Sequence, residues 1–160
     1  EGYHATVFAY GMTGSGKTHT MVGSLRDPGM IPLSFEQIFQ QVEDQKAHTT
    51  FTISISYMEI YCELVRDIID PSRDNLEIRE SKDKGVYIQG ISHHTVNSWT
   101  ETKALLDQGM ENRAVTATEM NAESSRSHAV LVARVTRENK ATQERSQAKS
   151  VLRDQICSEA

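Results

Sequence analysis

Cysteine is scarce in this chain of 160 residues, which contains only two, Cys62 and Cys157. They lie far apart and lack the close spacing typical of metal-binding or redox-active pairs. The sequence therefore predicts two free thiols in a reducing compartment.

Long hydrophobic runs are also missing. No stretch approaches the roughly 18 apolar residues of a membrane-spanning helix, and residues 1–4 lack the basic start and apolar stretch of a signal peptide. Hydrophobic residues make up 38% of the chain, which predicts one domain with a thin core. The net charge of −5 argues against binding to nucleic acid or membranes by bulk electrostatics, unless a local basic patch overrides it. We expect no nucleic-acid partner and no membrane insertion.

Strand patterns recur along the chain. A β-favouring run at residues 6–10 predicts a buried strand, and strict alternation at residues 50–61 predicts a strand with one clearly apolar face. A second alternating strand is predicted at about 128–135. Short strand-like pieces occur at 76–79 and 86–88, around a charged turn, and residues 136–149 are nearly all polar.

Helix patterns lie between these strands. We predict a short helix from Lys17, a second after Pro32 and a third after Ser98, where Glu101 completes a capping-box pattern. Residues 64–68 suggest one or two further helical turns. Because strands alternate with helices, the sequence predicts an α/β fold with a central sheet.

A glycine-rich segment directly after the first predicted strand carries the strongest chemical signal. It matches the phosphate-binding pattern G-x-x-x-x-G-K-[ST] and, as that pattern requires, it follows a strand and opens a helix. Its glycines let backbone N–H groups turn inward around an anion, Lys17 would reach the β- and γ-phosphates, and the Thr18 hydroxyl would ligate Mg²⁺. The alternative is a glycine-rich turn with a solvated lysine. The predicted phosphate-binding residues are Gly11, Met12, Thr13, Gly14, Ser15, Gly16, Lys17 and Thr18.

A phosphate-binding loop alone does not distinguish ATPases, GTPases and kinases. Residues 121–128 read Asn-Ala-Glu-Ser-Ser-Arg-Ser-His, and residues 8–10 and 19–21 extend the loop motif on both sides. In these segments the chain resembles the kinesin motor domain: it matches the family patterns N-x-x-S-S-R-S-H and F-A-Y-G-x-T-G-S-G-K-T-H-T-M at every defined position. The resemblance is clear over residues 1–138 and weak over 139–160.

This resemblance implies a P-loop NTPase fold, with a central mixed sheet flanked by helices. It also implies that residues 1–160 form one incomplete motor domain. The family's N-terminal strand is missing, as is everything that follows its switch II motif. The expected cofactors are ATP and Mg²⁺.

The resemblance also assigns roles to individual residues. The segment beginning at Asn121 resembles switch I, which senses the γ-phosphate. Within it, Ser125 would be the second protein ligand of Mg²⁺, Ser124 would lie near the attacking water, and Arg126 would pair with a switch II glutamate. His19 would stack on the adenine base. The plainer alternatives are a polar loop for the serines and a surface histidine for His19.

The end of the chain only partly matches the family's switch II pattern, D-L-A-G-S-E. Asp154, Ser158 and Glu159 agree with that pattern, which makes Glu159 the candidate partner of the switch I arginine. Cys157 stands at the glycine position, and Arg153 stands where an apolar residue belongs. Chance similarity is the alternative.

The resemblance implies a cytoplasmic, cytoskeletal motor that hydrolyses Mg·ATP and moves along microtubules. Lys82 and Lys84 are candidate contacts with the acidic surface of tubulin, or else solvated loop charges. The alternative function is a non-motile nucleotide-binding remnant that cannot hydrolyse ATP. A GTPase is a weaker alternative, because the base-reading sequence N-K-x-D is absent.

Overall fold

The computed structural model describes residues 4–12, 14–24, 26–82, 85–119 and 127–156, with the backbone alone at 115–119 and 152–156. Eleven elements follow one another along this part of the chain. In order they are β1 (Ala5–Gly11), α1 (Lys17–Met21), α2 (Met30–Gln45), β2 (Thr49–Tyr61), β3 (Leu64–Asp67), β4 (Ile78–Ser81), β5 (Gly85–Ile88), β6 (His94–Val96), α3 (Trp99–Glu119), β7 (Ser127–Asn139) and β8 (Arg145–Ile156).

A mixed sheet forms the centre of the fold. Its strands lie in the order β1-β8-β7-β2-β3. Strand β6 also pairs with β2, at residues 53–55. The pair β1–β8 is parallel, whereas β8–β7, β7–β2 and β2–β3 are antiparallel. Strands β4 and β5 form a separate two-stranded hairpin. The α/β class with a central mixed sheet is therefore confirmed.

The alternating side chains of β2 build two hydrophobic clusters, one on each face of the sheet. Ile53, Ile55 and Tyr57 belong to the larger cluster, where the described helices pack and Phe35 of α2 is fully buried. Met58 points to the opposite face, into a smaller cluster that also contains residues of β7 and β3. Each large apolar side chain buried in this way contributes roughly 1.5–3 kcal/mol. None of the described helices is long and apolar enough to cross a membrane.

The capping signal before α3 is confirmed. The Ser98 hydroxyl accepts a hydrogen bond of 3.1 Å from the backbone N–H of Glu101. The Glu101 carboxylate in turn accepts one of 2.7 Å from the N–H of Asn97, the residue before the N-cap. Helix α2 begins at Met30, slightly before Pro32, because proline is tolerated in the first helical turn.

The prediction that the first strand is buried is wrong. Within the described residues β1 pairs on one side only, with β8, and is therefore an edge strand. Val7 and Ala9 pack against the larger cluster, whereas the side chains of Phe8 and Tyr10 are 63% and 65% exposed. An apolar run is buried on both faces only when layers cover both, and here one face of β1 is open.

The helical turns predicted for residues 64–68 are also wrong. Cys62 and Glu63 have φ angles of 47° and 67°, and this two-residue turn sends the chain back along β2 as β3. Tertiary pairing also forms a strand where the sequence is polar, because β8 begins at Arg145 and pairs with β7. Local sequence patterns cannot predict a strand that forms only because neighbouring strands pair with it.

Candidate nucleotide-binding site

The loop between β1 and α1 needs glycine at two positions for different reasons. Gly16 precedes the helix with φ 88° and ψ 15°, a left-handed conformation that costs other residues free energy. At Gly11, a Cβ atom would lie 2.5 Å from the Oγ atom and 3.2 Å from the Cβ atom of Ser15, so a side chain there would displace the serine. The sequence therefore folds here into a tight loop that a larger residue would distort.

Lys17 bends back into this loop. Its ammonium group donates hydrogen bonds to the carbonyl oxygens of Gly11 at 2.8 Å and of Met12 at 2.7 Å, and the residue is only 8% exposed. The Met12 carbonyl also accepts a hydrogen bond of 3.2 Å from the N–H of Ser15. Because an ammonium group has three donors, Lys17 can hold the loop together and still donate to an anion beside it. The arrangement is suited to binding phosphate.

Thr18 and His19 follow on α1, as the motif predicts. Thr18 lines a small cavity that Arg113 of α3 also lines. The His19 side chain is 63% exposed, and its Nε2 atom lies 3.6 Å from a carboxylate oxygen of Asp27. An exposed ring is accessible for stacking on a base, so the adenine role remains a prediction compatible with its position.

Strand β8 brings the end of the chain to the same loop. Its register pairs Asp154 with Ala9 and Ile156 with Gly11, where β1 ends. The partly matching switch II segment therefore begins beside the phosphate-binding loop. Arg153 lies in this central strand, opposite Phe8, at the position where an apolar residue was expected.

Several predicted site residues lie outside the described part of the chain, and their roles remain predictions. They are Thr13 of the loop, Asn121, Ser124, Ser125 and Arg126 of the switch I segment, and Glu159 at the end of the chain. The structure does describe Ser127, the first residue of β7 and the next residue after this segment.

A buried ionic cluster next to Ser127 was not assigned any role from the sequence. Arg113 donates a hydrogen bond of 2.8 Å to the Glu59 carboxylate and another of 2.7 Å to the Ser127 hydroxyl. The Nε atom of Arg66 lies 3.9 Å from the second oxygen of Glu59. The available signal was Glu59 itself, a charged residue in a strand that is otherwise apolar or neutral.

The described residues contain no group of three or more His, Cys, Asp or Glu side chains that could hold a metal ion. Thr18, the predicted magnesium ligand, lies on α1 directly after Lys17.

A parallel pair of strands with a lysine-bearing glycine loop leading into a helix defines a P-loop protein. Comparisons narrow the class further. A family model of the kinesin motor domain matches residues 1–159. The chain belongs to the kinesin motor domain family.

Individual relatives agree with this. The kinesin heavy chain of Syncephalastrum racemosum is 48% identical over 142 residues, which cover 86% of this chain and 15% of that protein. The human kinesin-1 heavy chain is 41% identical over 162 residues, covering 99% of this chain and 17% of that protein. A solved structure described as a fast kinesin superposes with a TM-score of 0.96 at 42% identity, covering 99% of this chain and 46% of that one. The chain thus spans a small part of its curated relatives.

Proposed function

We propose that this chain binds Mg·ATP at the loop between β1 and α1 and hydrolyses it as the catalytic part of a microtubule motor. One observation carries the proposal: the Lys17 ammonium lies inside a glycine-rich loop, held at 2.8 and 2.7 Å by the carbonyls of Gly11 and Met12. Lysine and glycines in this arrangement suit the β- and γ-phosphates of a nucleotide. Kinesin family membership favours ATP over other nucleotides.

The other predicted site residues have separate roles, some in metal binding and some in hydrolysis. Thr18 and Ser125 would hold Mg²⁺, which neutralises charge on the phosphates when bound. Ser124 would orient the attacking water, and Arg126 would pair with Glu159. The register of β8 brings residue 156 beside Gly11, which supports a place for Glu159 near the phosphate-binding loop.

The proposed partner is the microtubule. The fast kinesin with the similar solved structure is described as interacting with microtubules. In this chain the β4–β5 hairpin stands apart from the central sheet, and Lys82 at its turn is exposed. A basic residue there can meet an acidic tubulin surface, whereas Lys84 lies outside the described residues. A protein with this partner acts on the cytoskeleton, in the cytoplasm.

Replacing Lys17 tests the nucleotide site. We expect Lys17→Ala to weaken the binding of fluorescent Mg·ATP analogues about ten- to hundredfold, because charge-assisted hydrogen bonds to phosphate are lost. Lys46→Ala is the matched control, since Lys46 is an exposed lysine at the end of α2. Equal affinity in Lys17→Ala and Lys46→Ala would overturn the proposal.

Phosphate release distinguishes the motor from the nucleotide-binding remnant. A motor releases phosphate from ATP, and microtubules stimulate that release. A chain that binds Mg·ATP as tightly as expected but releases no phosphate with microtubules present is the remnant.

A further inference from the structure

The turn between α1 and α2 folds back tightly against the end of α1. Gly23 and Pro28 pair as an antiparallel bridge, and the Gly29 N–H donates a hydrogen bond of 3.2 Å to the Val22 carbonyl. A Cβ atom at Gly23 would lie 2.2 Å from the Gly29 nitrogen, so a larger residue would push the two sides of the turn apart. The turn is therefore closed by its own backbone.

Asp27 lies in this turn and is fixed by two hydrogen bonds to Ser24. Its N–H donates to the Ser24 hydroxyl at 3.1 Å, and its carbonyl accepts from the Ser24 N–H at 2.8 Å. A carboxylate oxygen of Asp27 lies 3.6 Å from the Nε2 atom of His19, which belongs to α1. The backbone of the turn thus places the carboxylate beside the imidazole ring.

The pair of His19 and Asp27 adds little to the stability of the fold. The two side chains are 63% and 76% exposed, and an ion pair so open to water contributes little to folding. The carboxylate does restrict the imidazole ring, whose rotatable bonds would otherwise lose their freedom only when the ring packs on a ligand. The pair therefore reduces the entropy that His19 loses on binding.

His19 lies close to the residue that carries the proposed phosphate site. It comes two residues after Lys17 in the same short helix. Two residues of helix advance only about 3 Å along its axis. Phosphates at Lys17 and a base at His19 therefore fit within one site of the size of a nucleotide.

We propose that Asp27 is a positioning residue, which holds the imidazole ring of His19 in place to stack on the base of a nucleoside triphosphate bound at the loop. This inference rests on the proposed nucleotide function and adds how the site engages the base. Asp27 itself contacts neither base nor phosphate. Its loss weakens the binding of ligands that carry a base and leaves the binding of ligands without one unchanged.

Isothermal titration calorimetry on the full 160-residue chain tests this with two ligands, both in the presence of Mg²⁺. One is ATP, and the other is ribose 5′-triphosphate, which has the same sugar and phosphates but no base. We expect Asp27→Ala to weaken ATP binding about two- to fivefold, because the ring must then be ordered on binding. His19→Ala loses the stacking itself and should weaken ATP binding about fivefold or more. Neither variant should change the affinity for ribose 5′-triphosphate.

Two further variants test whether Asp27 acts through His19. In His19→Ala the ring is absent, so adding Asp27→Ala should bring no further loss of ATP affinity. Asp27→Asn keeps an oxygen acceptor and a residue suited to turns, so it should restore most of the ATP affinity that Asp27→Ala loses. Losses that multiply in the double variant, or an asparagine variant as weak as the alanine variant, would overturn the positioning role.

Asp44→Ala is the matched control. Asp44 is an exposed aspartate near the end of α2 that accepts a hydrogen bond from Gln40, and its loss should change neither affinity. Equal losses for both ligands in Asp27→Ala would show a general distortion of the site and overturn the positioning role. A wild-type chain that binds both ligands equally makes no contact with the base, which would overturn this inference alone. A wild-type chain that binds neither ligand would overturn the proposed function as well.

Discussion

His93 is a residue whose surroundings favour its neutral form. The Ser56 hydroxyl donates to the Ser92 carbonyl, so the Nδ1 atom of His93, 2.6 Å away, must itself donate to Ser56. A terminal nitrogen of Arg134 lies 3.0 and 3.1 Å from the two ring nitrogens, so a positive charge lies directly beside the ring. Partial burial, followed by the positive charge of Arg134, lowers the pKa of His93 below its usual 6.5. The folded protein therefore favours the neutral ring.

This lowered pKa predicts how stability depends on pH. Below about pH 6.5 the unfolded chain takes up a proton at His93 before the folded chain does, so its contribution to stability is present above that pH and is lost as the pH falls. We expect the melting temperature to fall less between pH 7.5 and 5.5 in His93→Asn than in the wild type. The asparagine amide replaces the Nδ1 donor to Ser56 without titrating.

Other charges around His93 act in both directions. Asp67 raises its pKa, while His94 and Arg73 lower it. The comparison with His93→Asn isolates one group, because these neighbours are present in both proteins. Identical pH profiles in the two proteins would contradict the prediction.

At the scale of elements, structure that is set by neighbouring residues could be predicted from the sequence, whereas structure that is set by distant residues could not. The capping box predicted the start of α3, and the alternation of residues 50–61 predicted β2 almost to its ends. The turn at Cys62 and Glu63 gave no signal, because tight hairpins favour asparagine and glycine at positions with positive φ. Without that signal, the apolar spacing of residues 64–68 pointed to a helix.

The same turn predicts a stabilising substitution. Glu63 has a φ angle of 67°, which an L-residue adopts at a cost and glycine adopts freely. We expect Glu63→Gly to raise the free energy of unfolding by about 1 kcal/mol, measured by urea denaturation. Glu63→Ala removes the same carboxylate but keeps the Cβ atom, so it should bring no such gain. Equal stabilities of the glycine and alanine variants would show that the turn carries no strain.

At the scale of the whole molecule, the sheet decides which parts of the site come together. The loop motif could be predicted because its residues are contiguous and each glycine has a local purpose. The contact between Arg113 and Glu59 could not be, because they are 54 positions apart and meet only when α3 packs on β2. The approach of β8 to Gly11 likewise depends on the order of strands in the sheet, and the polar sequence of β8 contains no pattern that predicts this order.

Among the described residues β1 has an open edge, and this edge predicts self-association of the 160-residue chain. An edge strand with exposed apolar side chains is a template for pairing with another chain, and Phe8 and Tyr10 lie on this one. We expect sedimentation velocity to show mass increasing with protein concentration, and Phe8→Lys to reduce that increase. Leu33→Lys changes a comparably exposed residue on α2, away from the edge, and should leave the association unchanged. A wild-type chain that stays monomeric at all concentrations would contradict this.

β1 ends in the phosphate-binding loop. Self-association through the open edge of β1 and nucleotide binding in the loop therefore belong to one thermodynamic cycle. If pairing at the edge distorts the loop, nucleotide favours the monomer by mass action, and diluting the protein tightens apparent binding. If pairing leaves the loop intact, affinity is independent of protein concentration. Nucleotide titrations at a series of protein concentrations therefore test whether pairing at the edge of β1, a strand of seven residues, changes the loop at its end.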